Sequence, residues 1–108
     1  RRGELVQTLL AELGLPNVTV DGHFARIQGR RADYRVHLGS GAIHIEPGNH
    51  LCIVPASWGT NADGLFLPFA DEGDRQVSIV LSKILLLARD DQITDPTILA
   101  QIQRVRQG

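Results

Sequence analysis

Apolar residues change their spacing along this chain, and each change marks a new element. Leu5, Val6, Leu9, Leu10 and Leu13 recur at helical spacing, which predicts a helix from Gly3 to Leu13. Gly14-Leu15-Pro16 stops it, with a glycine suited to the left-handed C-terminal position and a proline that cannot continue the helix. From Val18 to Val54 the period falls to two. Asp21-Gly22, between VTV and HFARI, predicts a tight hairpin turn pairing Val20 with His23 and Val18 with Ala25. A loop Gly29-Arg30-Arg31-Ala32 pairs Ile27 with Tyr34 and Ala25 with Val36. Ser40-Gly41 pairs Leu38 with Ile43 and Val36 with Ile45. A last turn at Pro47-Gly48-Asn49 brings Leu51 to Ile45 and Ile53 to Ile43. These registers put every one of those apolar residues, with Val18, Val20 and Tyr34, on a single face, as a sheet with one covered side requires.

After Pro55, SWGTNADG reads as a loop carrying the lone Trp58, and Leu65-Phe66-Leu67 as a short strand closed by Pro68. Asp74 is a suitable cap for a helix from Arg75 to Arg89, apolar nearly all round, with Arg75, Ser78, Ser82 and Arg89 as a narrow polar stripe. Asp95-Pro96 starts a final helix with Ile98, Leu99, Ile102 and Val105 inside and Arg104 and Arg106 at its C-terminal end. The expected fold is α+β. An antiparallel β-meander of about five to six strands has one face covered by a buried helix and is flanked by N- and C-terminal helices.

Composition narrows the setting. A length of 108 residues makes a single domain, 1–108, and 43% apolar with 21% charged residues is ordinary for a folded protein. A formal net charge of −1 gives no overall field toward nucleic acid or membrane, so such binding needs a local patch. One cysteine rules out an internal disulfide and suits the cytoplasm. No apolar run is long enough to cross a bilayer, and no signal peptide opens the chain. There is no methionine and Arg1 comes first, so the chain reads as a fragment of a longer protein.

The registers also sort the polar residues. Phe24, His37, His44 and Cys52 form one row on the outer face; Arg26, Arg35, Glu46 and His50 form the next. Three functions compete for that face. Contact with another domain of the parent chain, or with a protein partner, suits its mixture of aromatic and charged groups. A nucleic-acid or anion surface is the alternative. Arg26, Arg30, Arg31 and Arg35 fall close together, with Phe24 as a stacking platform. The second alternative is a metal: His37, His44 and Cys52 would offer two imidazoles and a thiolate across strands, without any local ligand motif.

Catalysis finds no nucleophile–base pair. Ser78, Ser82 and Lys83 miss the SxxK spacing, and no GxSxG, P-loop or dinucleotide fingerprint occurs. Asp90, Asp91 and Asp95 lack the calcium-loop spacing, and Cys52 between Leu51 and Ile53 reads as a small packing residue. No cofactor is expected.

The strings YRVHLGSG, LCIVP, LFLPF and LSKILLLARDDQITDPTILAQI occur in that order. Together they resemble the C-terminal domain of large bacterial proteins described as MolR-like, after a proposed regulator of molybdate metabolism, many of which carry a WGR domain elsewhere. The resemblance is clearest from Tyr34 to Ile102. It implies a C-terminal domain of unknown function and brings no catalytic or ligand residues with it. Trp58-Gly59-Thr60 is not a WGR signature, because the arginine is absent. The expectation is a non-catalytic structural or protein-interaction module at the C-terminus of a large bacterial cytoplasmic protein.

Overall fold

A computed structural model describes residues 2–55 and 72–108. The elements run α1 (Arg2–Leu13), β1 (Val18–Asp21), β2 (Phe24–Gln28), β3 (Asp33–His37), β4 (Ile43–Glu46), β5 (His50–Cys52), α2 (Glu72–Ala88) and α3 (Pro96–Gln107). The strands pair in chain order as one antiparallel sheet. Helix α2 lies over β2 and β3, α3 over β4 and β5, and α1 packs against α2. The fold is thus α+β in two layers, with all three helices on one face of the meander. The expected strand Leu65–Leu67 and the Trp58 loop lie outside the described residues.

The β2–β3 register is the expected one, with Ile27 opposite Tyr34 and Ala25 opposite Val36. Two hairpins differ by two residues. In the first, Asp21 pairs with Phe24 and Val20 with Ala25, so the turn is Gly22-His23 and not Asp21-Gly22. A type I′ turn needs positive φ at both central positions. Here Gly22, at +63°, has one and His23 does not, which matches a turn with glycine first. In the next, the His37 N–H bonds to the Ala42 carbonyl across a loop ending in left-handed Gly41, so Val36 faces Ile43. A shift of two keeps every side chain on its expected face.

The last hairpin is shifted by one, and that reverses a strand. Gly48 and Asn49 both have positive φ (90° and 59°) and turn the chain back early, placing Ile45 opposite His50 and Ile43 opposite Cys52. Cys52 therefore sits in the core, while Leu51 and Ile53 face outward with 59% and 65% of their surface exposed.

The core joins Ala25, Ile27, Tyr34, Val36, Ile43 and Ile45 of the sheet to Val6 and Leu10 of α1. Val80, Leu81, Ile84 and Leu87 of α2 and Ile98 and Ile102 of α3 pack into the same cluster, as do Leu38, Cys52, Val77 and Ile93. In α1, Leu5 and Leu13 are exposed, so its buried stripe is narrower than the spacing predicts. Helix α2 begins at Glu72, which leaves Asp74 inside the first turn and not ahead of it. Its serines do not mark a solvent-facing stripe either, since Ser78 and Ser82 are 2% and 1% exposed. Helix α3 starts as expected: the Asp95 carboxylate accepts the N–H groups of Thr97 and Ile98 at 2.9 and 3.2 Å, and Pro96 follows the cap.

Candidate functional site

The outer face of the sheet carries three rows of side chains. Thr19, Arg26, Arg35, His44 and Leu51 lie in line across the five strands, flanked by Asp21, Phe24 and His37 on one side and Gln28, Asp33 and Glu46 on the other. Phe24 still pairs with His37, and Arg26 still faces Arg35. His44 has moved opposite Arg35, and Glu46 opposite Asp33. His50 pairs with Ile45 and so leaves the outer row altogether.

Each arginine of the expected cluster has a partner within the chain. Arg26 lies 3.3 Å from the Asp21 carboxylate, at an exposed position. Arg35 is more enclosed. Its guanidinium sits 4.7 Å above the Phe24 ring, donates to Asn49 Oδ1 at 2.6 Å, and brings Nε within 3.2 Å of Glu46 Oε1. That last pair is an ion pair whose alignment does not meet hydrogen-bond geometry; Arg35 Nε, Glu46 Oε1 and His44 Nδ1 are buried without a hydrogen bond among the described residues. Two like charges placed opposite each other would repel. Asp21 and Glu46 relieve this for Arg26 and Arg35 respectively.

His37 serves the neighbouring loop. Its Nδ1 accepts the Ser40 N–H at 3.0 Å, and its ring meets Phe24 edge-on at 5.3 Å. Arg30 and Arg31 belong elsewhere. Arg30 is exposed and 3.8 Å from Asp91. Arg31 reaches to the helical layer and donates to the carbonyls of Asp90, Ile93 and Asp91 at 2.7, 3.0 and 3.4 Å. The four arginines therefore do not form one surface.

The partner of this loop is a carboxylate for which chain patterning offers only a failed calcium-loop spacing. Asp90, 0% exposed, lies just beyond α2 in a short 3-10 turn, Asp90–Gln92. Its Oδ1 accepts the Arg30 N–H at 2.7 Å. Oδ2 accepts the N–H groups of Arg31 and Ala32 at 2.7 and 3.2 Å and the Tyr34 hydroxyl at 2.9 Å. A buried carboxylate is tolerable only when so supplied with donors. Gly29 leaves room for it, since a Cβ there would clash with Asp90 and with the Ala32 carbonyl. Burial, then the Asp90 bond and charge, raises the Tyr34 pKa. The available signal was a Gly-Arg-Arg loop and an acidic pair after an apolar helix, which names no partner for either.

The metal trio is not assembled. Cys52 faces the core on the opposite side of the sheet from His37 and His44, and burial pushes its thiol up to about 11. Among the described residues, no group of three or more His, Cys, Asp or Glu is placed to hold a metal ion. Lys83 is held by structure: it donates to the Gly41 carbonyl at 3.2 Å, and burial lowers its pKa. Among the described residues, no helix is long and apolar enough to cross a membrane.

No curated protein and no solved structure matches this chain. A family model described as a domain of unknown function, DUF7737, matches residues 1–102, nearly the whole of the α+β unit described above. The chain belongs to that family.

Proposed function

We propose that the chain is a non-catalytic interaction module that docks through the outer face of its sheet, against another domain of its parent protein or a protein partner. The observation that carries this reading is the reversal of β5. It places Leu51 and Ile53 side by side on the outer face, 59% and 65% exposed, beside a polar row in which Arg26 and Arg35 are held by Asp21 and Glu46. Lone exposed apolar residues are common, but two large ones on one sheet face make a contact patch. A nucleic-acid or anion surface has less support, because Arg26, Arg30, Arg31 and Arg35 all have intramolecular partners.

The setting proposed for the module is the C-terminal end of a large cytoplasmic bacterial protein of the MolR-like kind, on the strength of the resemblance from Tyr34 to Ile102. Hydroxyl-radical footprinting of this chain alone and within the full-length protein tests the docking. Leu51, Ile53 and Phe24 should be oxidised readily in the isolated chain and protected in the intact protein or its complex. Equal oxidation in both would end the proposal. An immunoblot of cell fractions tests the setting: the domain should run far above 11.8 kDa in the cytoplasmic fraction.

A further inference from the structure

The two edges of the sheet are finished differently. Antiparallel pairs alternate between hydrogen-bonded and open ones. The Gln28 N–H donates to the Asn17 carbonyl at 2.9 Å, so the bonded pairs along this hairpin are Asn17–Gln28, Thr19–Arg26 and Asp21–Phe24. The main-chain groups of Val18 and Val20 consequently point away from the sheet. The Val18 N–H turns back to the Leu15 carbonyl at 3.4 Å, leaving its C=O and both groups of Val20 unclaimed among the described residues. At the far edge, the same alternation turns Leu51 and Ile53 outward. There Gln101 takes both main-chain groups of Ile53 and covers that end of the edge from α3.

We infer that β1 is a self-pairing edge, at which a second copy of this chain joins antiparallel across a twofold axis through Val20. The register follows from which groups are free. An axis through Thr19 would need the Val18 N–H that Leu15 already takes, and one through Asp21 would set two carboxylates face to face, whereas Val20 has both a donor and an acceptor to bond reciprocally with its own copy. In that register Thr19 of each copy lies opposite Asp21 of the other, a hydroxyl facing a carboxylate on the outer face, where open pairs bring side chains closest. No like charges meet. On the inner face, Val18 and Val20 of the incoming strand enter a groove of about 350 Å³ between α1 and β1, lined by Gln7, Leu10, Ala11 and Leu15. A four-residue strand gives a small interface, so the association belongs to the weak, reversible class. This inference is independent of the docking face proposed above.

Sedimentation velocity of the chain from low-micromolar to near-millimolar concentration tests it. The mean mass should rise from 11.8 kDa toward twice that value. Val20→Pro removes an edge donor that the β1–β2 ladder does not use, and should hold the chain monomeric. A wild-type chain that stays monomeric throughout would overturn the inference, as would a Val20→Pro chain that still dimerises. Because that proline could impair folding, a second experiment reads the register directly. Thr19→Cys and Asp21→Cys chains are mixed in a glutathione buffer. Cross-linking between the two kinds should exceed linking of either to itself, since open antiparallel pairs bring Cα atoms to disulfide distance. A statistical mixture of products would overturn it.

Discussion

Gln101 pairs with Ile53 as a neighbouring strand would: its amide donates to the Ile53 carbonyl at 2.6 Å and its carbonyl accepts the Ile53 N–H at 2.8 Å. A helix side chain thereby supplies the partner that the end of the sheet lacks, and ties α3 to the segment following β5. The same amide also reaches the Thr97 carbonyl at 3.3 Å, which fixes its orientation within the helix. Gln101→Ala would leave both Ile53 groups without this partner and should cost about 1–3 kcal/mol. Gln101→Glu keeps the acceptor and loses the donor, and should also destabilise the fold. Urea unfolding measures both, and faster hydrogen exchange at the Ile53 amide in each variant would locate the effect.

The Asp90 carboxylate should be the most sensitive polar group in the described fold. Asp90→Ala strands three main-chain N–H groups and the Tyr34 hydroxyl, an expected loss of about 3–5 kcal/mol. Tyr34→Phe removes one donor and should cost about 1–2 kcal/mol. The two changes should not add. Once Asp90 is gone, removing the hydroxyl should cost much less, and a double-mutant cycle in urea reads the coupling. Full additivity would mean that the bond contributes nothing.

Burial governs the chemistry of Cys52. With its thiol raised from 9.0 to about 11, the native chain should react slowly with a thiol reagent at pH 8 and at the ordinary rate once denatured. The pH dependence has a definite sign. Above pH 9 the unfolded thiol ionises while the folded one keeps its proton, so the folded state binds more protons and stability falls as pH rises toward 11. Below pH 9 this contribution is fully present. Urea midpoints for the wild type and Cys52→Ala between pH 8 and 11 should converge as pH rises.

The reversed strand gives a test of register by stability alone. Leu51→Asp and Ile53→Asp each place a charge on the outer face and should change stability by no more than ~0.5 kcal/mol. Ile43→Asp, directly opposite Cys52 in the core, should prevent folding. Circular dichroism thermal melts distinguish the three. Equal disruption by Leu51→Asp would put Leu51 inside.

The sheet was more legible than the site, for a physical reason. A hairpin register read from turn residues can err by two and still put every side chain on its proper face, as at Gly22-His23 and at the loop before Ala42. An error of one reverses the whole strand. At β5 apolar alternation favoured burying Leu51 and Ile53, and two successive left-handed residues decided otherwise. The Asp95 cap was readable because its chemistry is local, whereas Asp74 was not the cap it resembled because α2 starts two residues earlier. Asp90 was not, because its partners Arg30, Arg31, Ala32 and Tyr34 come from another layer, and nothing near Asp90 in the chain distinguishes a buried carboxylate from a solvated one. The same separation explains why four neighbouring arginines looked like one cluster. Two are on strands of the sheet and two are in a loop whose backbone the second layer holds.

The span between the β2–β3 loop and its carboxylate also sets an order of events during synthesis. Arg30 leaves the ribosome 60 residues ahead of Asp90, so the hairpin emerges with the amides of Arg30, Arg31 and Ala32 hydrated and its Tyr34 hydroxyl still in water. Neither can be enclosed until α2 has been made and its end has swung back over the sheet. The hairpin is thus a receptor awaiting its own chain. A nascent polypeptide arrested anywhere before Asp90 should remain open to protease at Arg30 and Arg31, and one arrested far enough beyond it should not.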